Sequence, residues 1–439
     1  MATGDRIYLA DKETLDKNIE QTEKLYDNAI HQEVSGDVVS VNDSSNLALV
    51  GLKLFGKTTQ DGTPTPDAPV PIVSAFEDGG WVNVAGANLL NPADYRISSP
   101  FAGLTVIQEG DEVTLSGTYA GEIVADIDLK TYEVKIPSGN YRLMGCPKGG
   151  ATHTYRLFAN IKRPNGTIEY QSDYGDGVQF VINDGDTLRI TIRVGNEWVA
   201  GSSQTFRPML TPCEDVKEFE SYKPAQTIPI SMPDGLSGIP VTSGGNYTDA
   251  NGQQWVCDEV DFARGVYVQR VNTIVFDGTE TLSKSTAGTL MQAKFVITNK
   301  ARNHAERYSG LSTHYFVRRL YEDGNKPYIR IGSGANELWF EYTLAQMSDV
   351  NALKTYLAEQ YAAGKPVTVT YAIDTPIETP LSAEEIAAFK ALHSNKPNTT
   401  VYNDSGAGMS VEYIADTKTY IDNKFTELQN AILSAGANV

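Results

Sequence analysis

Between residues 87 and 222, apolar residues recur at every second position in short runs, broken by turn residues at intervals of about 8–12. The runs "DEVTLSGTYA", "YEVKIPSGNYRLMG", "TYRLFANIKRPNGTIEYQS" and "VQFVINDGDTLRITIRVG" read as strands. Leu188, Ile190, Ile192 and Val194 alternate with polar neighbours, which gives one buried face and one polar face. Pro-Asn-Gly at 164–166 and Asn-Asp-Gly at 183–185 carry hairpin-type turn signals. This pattern predicts a β-sandwich of jelly-roll type.

A second stretch, 256–377, repeats the pattern in "YVQRVNTIVFDG", "LMQAKFVITN", "PYIRIG", "ELWFEYTLA" and "KPVTVTYAID". It is interrupted by one helical period: Ser348 reads as the N-cap, Val350, Leu353 and Leu357 as the buried stripe, and Gly364 as the stop. Another helix is predicted in "LSAEEIAAFKALHS", where Ser382 and Glu385 have capping-box spacing and Ile386, Phe389 and Leu392 face inward. "TTVYNDSGAGMSVEYIA" then reads as a hairpin.

At both ends the period changes to alternating threes and fours. After a candidate N-cap at Asp11, Leu15, Ile19, Thr22, Tyr26 and Ala29 form one seam. Near the other end, Ile414, Ile421, Phe425, Leu428 and Ile432 form a second, interrupted only by Lys418. Narrow seams with charged flanks predict self-association through coiled coils, the alternative being docking on the chain's own domains.

The stretch "TTQDGTPTPDAPVPIVS" at 58–74 holds too many prolines for a helix or a central strand. It reads as an extended strap joining two folded units, and "SYKPAQTIPISMPDGLSGIPV" at 221–241 reads as its counterpart. The expected order is therefore linear: N-terminal helix at 1–35, strand and connector at 36–84, and a first β-sandwich at 85–225. A connector at 226–255, a second sandwich at 256–378, a helix and hairpin at 379–412 and a C-terminal coiled coil at 413–439 follow. The fold class is mainly β, with two sandwiches in tandem between terminal helices.

The 439 residues are 41% hydrophobic, enough for real cores, and the 38 Gly and 20 Pro fit a turn-rich fold. A formal net charge of −19 argues against nucleic acid as a partner, because phosphate recognition needs clustered Lys and Arg. Cys146, Cys213 and Cys257 are widely spaced and odd in number, so neither a disulfide framework nor a metal knuckle is expected. The first residues contain no apolar core of signal-peptide length, and no stretch approaches a membrane span, so membrane insertion is not expected.

Several stretches carry a family resemblance: "GKTTQDGTPTPDAPVPI", "GANLLNP", "TFRPML", "FESYKPAQTIPI", "CDEVDFARGVYVQRV", "YAIDTPIETPLSAEEIAAFKALH" and "TTVYNDSGAGMSVEYIADTKTYID". In this order, from about residue 36 to 425, the chain resembles minor structural tail proteins of phages and prophages of Gram-positive bacteria. The resemblance implies a tail-tip or baseplate fibre, a homotrimer located in the virion and assembled in the bacterial cytoplasm. It also implies attachment to other tail or baseplate proteins through the N-terminal region, and contact with host cell-surface polysaccharide through carbohydrate-binding-like sandwiches. The motifs are architectural and do not specify chemistry.

The residues themselves offer little catalysis. His31, His153, His304, His314 and His393 share no metal-ligand spacing, and no nucleophile elbow or phosphate loop is present. Asp126/Asp128 and Asp184/Asp186 have the minimal pairing for glycoside hydrolysis, but such pairs arise by chance at turns of an acidic chain. "DYGDGVQFVINDGD" could offer oxygens to Ca²⁺ yet lacks a defined ligand loop, so no cofactor and no metal are expected. Sugar recognition sets aromatic faces against apolar ring faces and planar polar groups against hydroxyls. In "THYFVRRLYEDGNKPYIRIGSGANELWF", His314, Arg319, Tyr328, Arg330 and Trp339 supply both kinds of group and are the candidate carbohydrate-binding residues; the alternative is that they are core and solvated sheet face. The reading is a non-enzymatic tail fibre. Its rivals are a bacterial glycan-binding adhesin, a glycan depolymerase and a scaffold that only spaces other tail proteins.

Overall fold

The computed structural model describes residues 31–42, 49–130, 136–183, 185–212, 218–230, 232, 234–287, 290–302, 310–318, 327–332, 336–393, 395 and 398–414. The protein is mainly β, 51% strand against 7% helical. Leu15, Ile19, Tyr26, Ile421, Phe425, Leu428 and Ile432, the seam residues expected to self-associate, lie outside the described residues. Ile414 does not open a helix: it ends the strand Gly408–Ile414, opposite His31. Residues 31–35, expected to belong to the N-terminal helix, likewise lie in the strand His31–Gly36.

The linear order of units does not hold. One seven-stranded sheet runs in the order His31–Gly36, Gly408–Ile414, Leu49–Phe55, Glu259–Asp261, Val266–Phe276, Val367–Pro380, Gly310–Ser312. A four-stranded sheet, Gln226–Ile230, Gly80–Ala85, Asn398–Asn403, Val38–Asn42, packs on its first part. Leu52, Leu54, Val82, Val84, Ile228, Val401, Met409 and Val411 are buried in one core between the two. Segments 36–84, 226–255 and 379–412 thus fold together. Residues 86–225 leave and return between adjacent strands, Val84 opposite Gln226. Closing so long a loop costs only slightly more entropy than closing a short one, so nothing in local sequence disfavours the insertion.

The stretch at 399–415, expected as a hairpin, does not pair with itself among the described residues. Its two strands pair with Val38–Asn42 and His31–Gly36 respectively, in different sheets, so both segments bend from one sheet to the other near Asp37 and Ser405. The 183–185 turn also passes between sheets. Asp186 accepts a hydrogen bond from Asn183 N (2.6 Å) and an ion pair from Arg163, which ties the turn to the neighbouring hairpin. The 164–166 turn does close a hairpin, with Arg163 N donating to Thr167 O at 2.8 Å.

The proline-rich strap is not a spacer. Thr58 and Thr59 pair with Ser74 and Val73, so the loop returns to its starting point. The Pro66 carbonyl still accepts a hydrogen bond, from Tyr356 Oη (3.1 Å), and the strap's own donors Val70 N and Gln60 Nε2 reach Thr313 O (2.8 Å) and Ser312 O (3.0 Å). The strap is a clasp laid on the 310–362 region. Its expected counterpart at 221–241 contributes the strands Gln226–Ile230 and Gly238–Val241.

The 256–378 stretch adds a five-stranded sheet, Leu282–Ala287, Leu290–Val296, Glu337–Thr343, Tyr328–Ile331, Phe316–Arg318, the last pair parallel. Helix α1 (Val350–Ala362) seals its apolar face with Leu353 and Leu357. Its N-cap is Asp349, not Ser348: the carboxylate accepts from Asn351 N and Ala352 N, each at 2.9 Å. Helix α2 (Ala383–Lys390) carries the Ser382/Glu385 capping box as expected. In the inserted 86–225 region, three sheets surround one core that includes Leu115, Tyr141, Leu157, Ile161, Leu188, Ile190 and Ile192.

Candidate functional site

Four of the five residues singled out from the sequence are engaged with the protein's own side chains. His314 is fully buried, its ring beside Tyr315 and Tyr356, with Nδ1 against Thr313 Oγ1 (2.9 Å) and Nε2 facing Gln360 Oε1 (3.4 Å). Burial pushes its pKa down. Tyr328 is buried and donates to Glu341, as does Arg330 Nε at 2.9 Å. Trp339 is spent on its own sheet, with Nε1 donating to Glu337 (3.1 Å) and Lys294 and Arg330 over its ring. Arg319 lies outside the described residues. The order of the segment on its strands explains this: Tyr328 and Arg330 converge on a carboxylate that must be neutralised because it is buried.

A different sheet presents the required chemistry. In the inserted region, Ile168–Asp173, Tyr155–Lys162, Thr187–Val194 and Ala125–Lys130 form a four-stranded sheet in that order. The apolar alternation that buries Leu157, Ala159, Ile161, Leu188, Ile190 and Ile192 sends Arg156, Phe158, Asn160, Arg189, Thr191 and Arg193 to the opposite face. Asn160 lies opposite both Tyr170 and Arg189, and Arg156 opposite Arg193. Phe158, Asn160, Tyr170, Arg189 and Arg193 line a recess of about 530 Å³, within the usual range for ligand clefts of about 300–1,000 Å³.

One wall is aromatic. Phe158 and Tyr170 stack with ring centroids 5.6 Å apart and planes 18° apart, and Tyr170 is 59% exposed. The other wall is cationic and fixed in place. Arg193 sits 3.9 Å from the Phe158 ring centroid and grips Asp126 through two bonds of 2.6 and 2.7 Å. Those bonds raise the Arg193 pKa still further above neutrality. Arg189 Nε donates to Asp128 (2.8 Å) and Nη1 to Asp126 (3.3 Å). Asn160 is only 3% exposed, and its Nδ2, like Thr191 Oγ1, is buried without a hydrogen-bond partner among the described residues. Arg156, whose pKa is lowered by burial, lies over Phe158 and Tyr174.

Asp126 and Asp128 are therefore not chance residues at a turn. They lie on one face of the strand Ala125–Lys130 and orient two guanidiniums. Asp184 lies outside the described residues, and Asp186 serves the turn. In "DYGDG", Asp173 is fully buried and accepts from Gly175 N, Gly177 N (each 2.7 Å) and Cys146 N (2.9 Å). Among the described residues no group of three or more His, Cys, Asp or Glu is arranged to hold a metal, and no helix is long and apolar enough to cross a membrane.

The recess residues were readable but overlooked. Arg156-Phe158-Asn160 and Arg189-Thr191-Arg193 occupy the outward positions of two strongly patterned strands, where a merely solvated sheet face would take Ser, Thr, Lys or Glu. No family model matches the chain, and no curated protein or solved structure matches it.

Proposed function

We propose that this chain is a structural phage-tail protein, a tail-tip or baseplate fibre that adsorbs to host cell-surface glycan and does not cleave it. The family resemblance supports the tail assignment. The observation that supports glycan adsorption is the recess, where an exposed aromatic ring faces two immobilised guanidiniums. A sugar ring needs an apolar surface for its C–H face and fixed donors for its oxygens, and the two walls offer these side by side. The three sheets around Leu157 and Leu188 are read as a carbohydrate-binding β-sandwich of jelly-roll type. Among the described residues that line the recess none is a carboxylate, whereas glycoside hydrolysis needs two flanking the scissile bond, and Asp126 and Asp128 are engaged by Arg189 and Arg193.

The test is adsorption of the purified chain to cell-wall polysaccharide, with Tyr170→Ala as the variant. Tyr170 is exposed and outside the core, so the fold should survive while affinity falls about tenfold, the equivalent of about 1.4 kcal/mol. Equal binding by both proteins refutes the site. The reading also includes a homotrimer, so mass photometry of the wild-type chain should give three copies. A stable monomer at micromolar concentration contradicts it.

A further inference from the structure

We infer that the recess selects a glycan carrying an anionic oxygen group, a carboxylate or a phosphate, over a neutral one. This rests on the glycan-binding reading above and adds the charge of the ligand. The residues lining the recess include two guanidiniums and no carboxylate. Asp126 and Asp128 hold those guanidiniums without lining the recess themselves. Across the whole face three guanidinium groups, those of Arg156, Arg189 and Arg193, meet two carboxylates, leaving a local cationic excess on a chain whose net charge is −19.

The donor count agrees. A guanidinium has five N–H donors. Arg193 spends Nε and Nη2 on Asp126, and Arg189 spends Nε and Nη1 on the two aspartates, so Arg193 Nη1 and Arg189 Nη2 make no hydrogen bond among the described residues. The amide Nδ2 of Asn160 has no partner either. Donors carried by two cationic groups bond more strongly to the oxygens of a carboxylate or phosphate than to neutral hydroxyls. With Arg189 and Arg193 only 27% and 20% exposed, salt screens such a contact less than it would a surface charge pair.

The experiment titrates the full chain with three glucan tetrasaccharides of equal length: one with its sugars oxidised to glucuronate, one carrying 6-phosphates, one unmodified. Tighter binding of either acidic probe than of the neutral one, by tenfold or more, supports the inference; the better of the two identifies the anion. In Arg189→Gln the preference should shrink to within twofold, and in Arg189→Lys, which keeps the charge, most of it should remain. A variant that fails to fold leaves the wild-type comparison intact. Equal or tighter binding of the neutral probe overturns the anionic inference while the glycan reading stands. An acid preference that Arg189→Gln does not change places the selectivity elsewhere and overturns it too. Binding of none of the three, nor of whole wall polysaccharide, overturns both readings.

Discussion

Glu341→Ala is expected to destabilise the protein by about 3–5 kcal/mol, the usual cost of breaking a buried ion pair by removing one partner. Glu341 is fully buried on the strand Glu337–Thr343. Its Oε1 accepts from Arg330 (Nε and Nη2, each 2.9 Å) and from Gln292 Nε2 (3.1 Å), and its Oε2 accepts from Tyr328 Oη. Without the carboxylate, Arg330 remains charged with only 16% of its side chain exposed, and Tyr328 and Gln292 lose their acceptor. Glu341→Gln keeps the shape and one acceptor oxygen but not the charge, so its cost should be smaller, about 1–3 kcal/mol. Urea denaturation of the three proteins measures this. Because Glu341 and the Phe158–Tyr170 recess belong to different sheets and different cores, glycan adsorption should persist wherever Glu341→Gln remains folded. A loss of adsorption in folded Glu341→Gln means that the Arg330–Trp339 face binds sugar after all.

Asp258 sets the second large effect, through pH. It sits where the seven-stranded sheet passes between cores, beside an irregularity at Gln269/Val271 that frees backbone amides from their ladder. Its Oδ1 accepts from Arg270 N (2.7 Å) and Val271 N (2.8 Å), and its Oδ2 from Tyr267 Oη (3.2 Å) and Ser237 N (3.3 Å). Burial nevertheless dominates and pushes its pKa from 3.8 to about 6, with the four donors only partly offsetting the loss of water. The folded state therefore binds the proton more tightly than the unfolded chain. Stability from this group is fully present below about pH 4 and is lost as pH rises through 6. The gap corresponds to about 3 kcal/mol in full, of which about 1 kcal/mol falls between pH 5 and pH 7. Asp258→Asn has no titrating group there. Denaturation at pH 5 and pH 7 should show wild type gaining about that much more than the variant on acidification. Equal slopes for the two proteins contradict the assignment.

The sequence made individual elements legible because each is specified locally. Alternation at Leu188-Ile190-Ile192-Val194 marks a strand wherever it pairs, and the Ser382/Glu385 box starts its helix without help from other elements. Pairing is not local. Val84 meets Gln226 and Asp37 marks a bend between two sheets because of cores assembled from distant segments, and no residue near either position announces it. The strap misled for a related reason: prolines exclude ladder donors, but the Pro66 carbonyl accepts from Tyr356 and Val70 N donates to Thr313 O, and both partners are far away in the chain. The aromatic-cationic cluster around Tyr328 and Arg330 had the composition of a sugar site, but it encloses Glu341. The recess drew on residues just as visible, yet the pairing of Arg156 with Arg193 and of Asn160 with Tyr170 fixes its walls, and register is again tertiary.

The most direct test is a structure of the wild-type chain with a bound fragment of host wall polysaccharide. The account predicts a sugar ring against the exposed face of Tyr170, with its oxygens within hydrogen-bond distance of Arg189 and Arg193. A fragment seated on the Trp339 sheet face, or anywhere that leaves the Phe158–Tyr170 recess empty, contradicts it.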